Sequence, residues 1–303
     1  MTVPRPTSQV AAGKVMQPFE YVAPASLQEA LEALARHGER ARPLAGGTDL
    51  FLRMERGGWA PDVVVDLKGV PGLADIRYDA QRGLSLGALA LHADVATHPA
   101  VQGRYPALAQ GSGWVGGPQM RNRGTVGGNL CNASPAADTA APLLALDARV
   151  RLVGARGERT LPLEEFFTGP GSTVLAPGEI LAEILVPPPS PRSGGDYQRR
   201  TRTAMDIAVV GAAAVVALDG GSACREVRIA LASVAPTPLR AKAAEAVLRG
   251  NDATPDRIAA AARAAAAEAR PIDDVRATAA YRRAIVEVLA RRALTNALAR
   301  ARA

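Results

Sequence analysis

The chain has 303 residues, 48% of them hydrophobic and 21% charged, a balance that excludes an intrinsically disordered protein and allows two or three packed domains. Its net charge of +7 raises nucleic-acid binding as a question, but of 36 basic residues only Lys14, Lys68 and Lys242 are lysine, the arginines are dispersed among alanines, and aromatics amount to 4%. No basic block with interleaved aromatics is present to track phosphates and stack on bases.

Met1 to Gln17 is polar and proline-containing and reads as an N-terminal extension. Phe19 to Val22 is expected to be a strand, and Ser26 with Glu29 forms a capping-box start for a helix to His37. A strand ending at Leu44 and Ala45, a Gly46-Gly47-Thr48-Asp49 loop, a helical stretch to Arg56 and a strand at Val63 to Leu67 complete a small α/β unit. Two strand-like runs flank Asp79 to Gly83, and helices are expected at Leu91 to Thr97 and Pro106 to Gly111. A hairpin is expected over Arg149 to Leu163, and a strand over Ile180 to Val186.

The PPPSPRSGG stretch at Pro187 to Gly195 suits neither a helix nor an interior strand and marks the strongest boundary in the chain. Beyond it, strands are expected near Ile207 to Leu218 and Glu226 to Ala232, joined at Asp219-Gly220-Gly221. Helices follow at Leu239 to Arg249, Thr254 to Ala269 and Thr278 to Arg300, the last with Tyr281, Ile285, Val288, Leu289 and Leu294 toward one side.

Two loops carry binding chemistry. Glycines at 46 and 47, after a strand, let backbone N–H groups approach a phosphate, and Thr48 adds a hydroxyl; no GxGxxG fingerprint or Walker lysine accompanies them. The second loop, Arg121 to Leu130, runs into Cys131 to Asp138 and offers N–H groups, the Thr125 hydroxyl, the Asn129 amide and the Asp138 carboxylate, a set matching a pyrophosphate with its ribose. Asp138 also precedes an apolar run, so a helix N-cap is its alternative role. His37, His92 and His98 share no ligand spacing and are expected in surface or capping roles. Cys131 reads as a small buried filler, and Asp206 as an organiser of the domain junction. Two cysteines cannot supply a zinc site or a four-cysteine cluster, and free thiols without a secretory leader point to the cytoplasm. The most apolar run, Ile207 to Leu218, is too short for a membrane span.

AGGTDLFLRM at Ala45 to Met54 and MRNRGTVGGNLCNASPAAD at Met120 to Asp138 resemble the FAD-binding (medium) subunit of the xanthine dehydrogenase and carbon monoxide dehydrogenase molybdenum hydroxylase family. FEYVAPASLQEALEAL, GEILAEILVP and AMDIAVVGAAAVVAL follow the same order, and the likeness spans Phe19 to Ala303. It implies an α+β fold: a two-subdomain FAD-binding domain of the vanillyl-alcohol oxidase (PCMH) type, plus a C-terminal α/β domain with a small antiparallel sheet and helices. The corresponding divisions are 1–17 extension, 18–72 and 73–189 FAD-binding subdomains, and 190–303 C-terminal domain.

By matching position, the resemblance assigns FAD contacts to Pro43, Leu44, Ala45, Gly46, Gly47, Thr48, Asp49, Leu50, Thr125, Val126, Gly127, Gly128 and Asn129. It adds Asp138 at the ribose or adenine end and Leu181, and places a basic residue of many relatives on Gln198 or Arg199. It further implies molybdopterin in a large partner subunit, [2Fe-2S] clusters in a small one, and a dimer of such heterotrimers, with no catalytic acid or base in this chain. The four-cysteine insertion of relatives that reduce 4-hydroxybenzoyl-CoA is absent. Two rival readings are a stand-alone flavin-dependent oxidoreductase, which needs its own substrate pocket, and a non-catalytic basic binding module, which predicts colourless protein.

Overall fold

In the computed structural model, which describes residues 16–303, three main sheets follow one another along the chain. Most of the expected N-terminal extension lies outside the described residues; Met16, at its end, packs with Phe19 on a cluster of Leu44, Leu50, Met54 and Val64.

The first sheet is parallel. It contains β1 (Glu20–Val22), α1 (Leu27–His37), β2 (Ala41–Leu44), α2 (Leu50–Glu55) and β3 (Val63–Asp66), with strand order β1-β3-β2. Ser26 Oγ accepts from Glu29 N at 3.2 Å, and Glu29 Oε2 accepts from Ala25 N at 2.9 Å, so the capping box closes one residue earlier than its usual form. Side chains alternate across β3: Val63 and Val65 share a core with Ala30, Ala33 and Leu34 of α1, while Val64 faces Leu44, Leu50 and Met54. Burial on both faces is why this strand is continuously apolar.

The second sheet begins with the hairpin β4 (Ile76–Asp79) and β5 (Gly83–Gly87). Six short helices then intervene: α3 (His92–Thr97), α4 (Pro99–Arg104), α5 (Pro106–Gly113), α6 (Pro118–Arg121), α7 (Val126–Cys131) and α8 (Ala140–Ala145). Proline opens α4, α5 and α6 at a position where its missing N–H costs nothing, which divides the segment into brief turns and produces α4, a helix the sequence reading lacks. The chain returns through β6 (Arg149–Gly154) and β7 (Gly157–Pro162), a small hairpin of β8 (Phe167–Gly169) and β9 (Ser172–Thr173), and β10 (Ile180–Val186). β10 inserts between β5 and β6 to give the antiparallel order β4-β5-β10-β6-β7.

The third sheet, also antiparallel, has the order β11 (Ser193–Arg200), β12 (Val210–Leu218), β13 (Cys224–Ala232) and β14 (Leu239–Arg240). It is followed by α9 (Lys242–Leu248), α10 (Pro255–Glu268) and α11 (Ala279–Arg302). Two expectations are corrected here. Leu239 and Arg240 pair with β13, so the helix expected from Leu239 starts later. Ser193 to Gly195, read as linker, begin an edge strand, where their glycines serve packing: a Cβ on Gly194 would lie 2.3 Å from Ala297 O of α11.

β12 shows what holds the halves together. Ala212, Ala214 and Val216 face α9 to α11, whereas Ala213 joins the core of the first two sheets and Val215 packs against it. An alanine-rich strand suits this position because both of its faces are covered at short range. α11 turns a different stripe inward from the one its larger apolar residues suggest. Leu289 and Leu294 are buried, together with Val286, Ala290, Ala293, Ala297 and Leu298, while Tyr281 is exposed. Arg282 also lies on the buried side, its Nη1 donating to the carbonyls of Val209 and Ser233 and its Nη2 to Asp274.

Candidate cofactor-binding site

The two glycine loops meet. A Cβ on Gly46 would lie 2.2 Å from Arg123 O and 3.0 Å from Gly124 Cα, so the first loop rests directly on the backbone that leads into the second. Gly47 has a φ of 79°, the left-handed conformation that admits glycine at little cost, and it turns the chain from β2 into α2. The backbone N–H groups of Gly46, Gly47, Thr48 and Asp49 donate to no acceptor among the described residues, while Gly47 O and Asp49 O accept from Phe51 N and Arg53 N. Four consecutive N–H groups without acceptors form a cradle for anionic oxygens. Pro43 is exposed, Ala45 approaches Gly128, and Leu44 and Leu50 are buried beneath the loop.

The second loop differs from expectation. Its N–H groups are engaged within the protein: Val126 and Gly127 donate to Ala90 O and Ala88 O, Gly128 to Thr125 Oγ1 at 3.0 Å, and Asn129 to Thr125 O. Thr125 is thus the N-cap of α7, and Gly127 is glycine because a Cβ there would lie 2.5 Å from Ala88 O. Asn129 Oδ1 accepts from Thr139 Oγ1 at 2.6 Å, which leaves its amide NH2 without a partner among the described residues.

Asn132 joins the loops, its Nδ2 donating to Asp49 Oδ1 at 3.1 Å and its Oδ1 accepting from Arg53 Nη2. The Arg53 guanidinium lies 4.5 Å above the Trp59 ring. Burial pushes the Asp49 carboxyl up, against the pull of Arg53.

Asp138 does not cap a helix. α8 starts at Ala140, and the buried Asp138 carboxylate turns to the C-terminal sheet, where it accepts from Tyr197 Oη at 2.8 Å and Arg199 Nη1 at 2.6 Å. The Arg199 guanidinium also lies over Trp114, which tilts against Tyr197. Burial raises the Asp138 carboxyl to about 6, opposed by Arg199 and Tyr197.

The two-residue period of β11 turns the two basic-position candidates to opposite faces. Tyr197 and Arg199 share the face toward Asp138. Gln198 donates instead to Asp196 Oδ2, beside Asn296 and Arg300 of α11, so it does not face the loops. Leu181 is a core residue of β10, opposite Leu152.

His92 departs from its expected surface or capping role: it is 2% exposed, with Nδ1 buried and unbonded among the described residues, and burial followed by the charge of Arg121 lowers its imidazole to about 4. No spacing in one sequence signals this, because the residues shown beside it, Gly124 and Arg121, lie some thirty positions further along the chain. Cys131 is half-buried with its thiol pushed up to about 12, as a filler would be. Asp206 pairs with Arg202 within its own loop.

The cradle at 46–49, the Thr48 hydroxyl and the Asn129 amide fit the phosphates and hydroxyls of a dinucleotide. Comparison with known proteins agrees. Residues 17–189 match the family described as the FAD binding domain in molybdopterin dehydrogenase, and residues 196–297 the CO dehydrogenase flavoprotein C-terminal domain. The alpha subunit of the 6-hydroxypseudooxynicotine dehydrogenase complex of Paenarthrobacter nicotinovorans is 37% identical, over 94% of this chain and 96% of its own length. The carbon monoxide dehydrogenase medium chain of Hydrogenophaga pseudoflava is also 37% identical, over 93% and 98%. A solved structure of carbon monoxide dehydrogenase from Hydrogenophaga pseudoflava, lacking the Mo-pyranopterin moiety of its cofactor, superposes with a TM-score of 0.90 at 38% identity, covering 94% of this chain and 99% of that one.

The chain belongs to the FAD-binding subunits of the xanthine dehydrogenase and carbon monoxide dehydrogenase family. It is an electron-transfer flavoprotein subunit of an oxidoreductase, and FAD is its cofactor. Its relatives are medium subunits of multi-subunit enzymes, and no helix among the described residues is long and apolar enough to cross a membrane.

Proposed function

We propose that this chain carries electrons from [2Fe-2S] clusters of a small partner subunit, reduced in turn by a molybdopterin centre in a large subunit, to an external acceptor. The assembly proposed is a dimer of such heterotrimers in the cytoplasm. The two free cysteines suit a reducing compartment.

Bound FAD would supply the redox chemistry of electron uptake and release. The protein's part is to hold it. Gly46 to Asp49 would donate backbone N–H groups to the pyrophosphate, Thr48 and Asn129 would bond neighbouring oxygens, and Thr125 to Gly128 would form the adjoining wall. Asp138 and Leu181 would stand beside the cofactor, and Arg199, held on Asp138, would be the cation that the C-terminal sheet contributes, with Gln198 turned to Asp196. Residues 18–72 and 73–189 act as the two halves of the clamp, and 190–303 as the domain that closes it.

The observation that carries this reading is the row of four N–H groups at the junction of the loops that have no acceptor among the described residues. Purified chain is expected to be yellow, with denaturation releasing FAD at about one per chain. Folded protein that is colourless and takes up no added FAD would overturn the proposal, and turnover of a small organic substrate by the isolated chain would favour a stand-alone oxidoreductase.

A further inference from the structure

His92 opens α3 against the turn that leads into the second loop. Its amide donates to Gly124 O at 3.1 Å, and its Cδ2 lies 3.3 Å from the position a Cβ on Gly124 would take, a point that Thr48 Oγ1 approaches to 3.7 Å. The imidazole and the Thr48 hydroxyl therefore flank Gly124 together, next to the unpartnered N–H groups of Gly46 to Asp49.

The ring is buried, and its side chain makes no hydrogen bond among the described residues. An unbonded polar group in such a place is costly, and an apolar side chain would fill the space without that cost. Burial and the Arg121 guanidinium keep the imidazole neutral, so it carries one N–H. An orphaned acceptor is tolerated better than an orphaned donor. With Nδ1 enclosed and unbonded, the proton belongs on Nε2, the nitrogen bonded to Cδ2 on the Gly124 side of the ring.

We propose that His92 is a direct hydrogen-bond donor to the phosphate and ribityl segment of the bound flavin, completing from the α3 side the cradle formed by Gly46 to Asp49. This assignment rests on the flavin reading above. As a neutral donor, His92 adds a directed hydrogen bond at the meeting point of the loops without adding charge, and bound FAD gives the imidazole the partner it otherwise lacks.

The test uses the full-length apo chain titrated with FAD, followed by flavin fluorescence, for the wild type, His92→Phe and His92→Gln, with histidine 15N resonances recorded before and after loading. The phenylalanine variant is expected to bind FAD about tenfold more weakly, as loss of one hydrogen bond predicts, with glutamine recovering part of the loss. In the wild type, Nε2 is expected to carry the proton and to shift on loading. Unchanged FAD affinity in a folded His92→Phe protein, or an Nε2 resonance that does not move, would overturn the assignment. Should His92→Phe fail to fold, the wild-type resonance decides alone. A wild-type chain that binds no FAD would overturn the flavin reading and this assignment with it, whereas failure of His92 alone leaves wild-type binding intact.

Discussion

Gly46 and Arg123 touch backbone to backbone: the space a side chain on Gly46 would need is filled by the Arg123 carbonyl oxygen, 2.2 Å from the position of its Cβ. This contact brings two segments far apart in sequence into one site, and it assigns the glycine a role in loop packing beside any role in ligand approach.

Gly46→Ala is accordingly expected to push the loops apart and to lose most bound FAD, read as the flavin-to-protein absorbance ratio. Gly103→Ala is the control, since a Cβ there meets nothing within 4 Å and the residue lies in α4. It is expected to keep its flavin and to gain about 0.5–1 kcal/mol of stability. Equal flavin content in both variants would contradict the packing argument.

The Asp138 and Arg199 pair, with side chains 8% and 7% exposed, ties the turn before α8 to the third sheet. Arg199→Met leaves a buried carboxylate with Tyr197 as its remaining donor, and a loss of about 3–5 kcal/mol is expected by denaturant unfolding. The double variant Asp138→Asn with Arg199→Met is expected to recover part of that loss, because no charge is then stranded. Additive single losses would show that the two residues are not coupled.

His92 gives a pH dependence of definite sign. Its imidazole titrates near 4 in the folded chain and near 6.5 unfolded, so between these values the unfolded chain binds more protons. The stability contribution is fully present above about 6.5 and falls as pH drops toward 4, by about 3 kcal/mol over the whole window. Apo protein unfolded at pH 7.5 and 4.5 is expected to show this component in the wild type and to lack it in His92→Phe. An identical pH slope for the two would refute the burial of a neutral ring.

Glu245 is 1% exposed and accepts from Ile229 N and Arg240, with Arg249 beside it. Glu245→Ala leaves the Ile229 N–H without its acceptor and Arg240 with, among the described residues, only the longer contact to Asp147, and is expected to cost about 3–5 kcal/mol. Asp62→Ala breaks a pair whose side chains are 68% and 62% exposed, and its effect is expected below about 1 kcal/mol. Thermal unfolding of both variants checks the contrast.

The legibility of the sequence tracks the range of the forces involved. The helix over 27–37, the hairpins at 79–83 and 219–221 and the glycine turn at 46–49 depend on neighbours within a few residues, and Ser26, Glu29 and the glycines signal them directly. The string from Met120 to Asp138 carried the family by its own residues. Tertiary structure alone decided which N–H groups stay without acceptors. Those of Val126 and Gly127 are taken by Ala90 and Ala88, from a segment that the local sequence does not mention. It also decided that Arg199 and not Gln198 faces Asp138, since one residue of register turns a side chain to the opposite face, and register is set by pairing with β12. His92 became a buried neutral group for the same reason. Gly124 and Arg121, distant in sequence, stand beside it, and desolvation is a property of the whole packed neighbourhood.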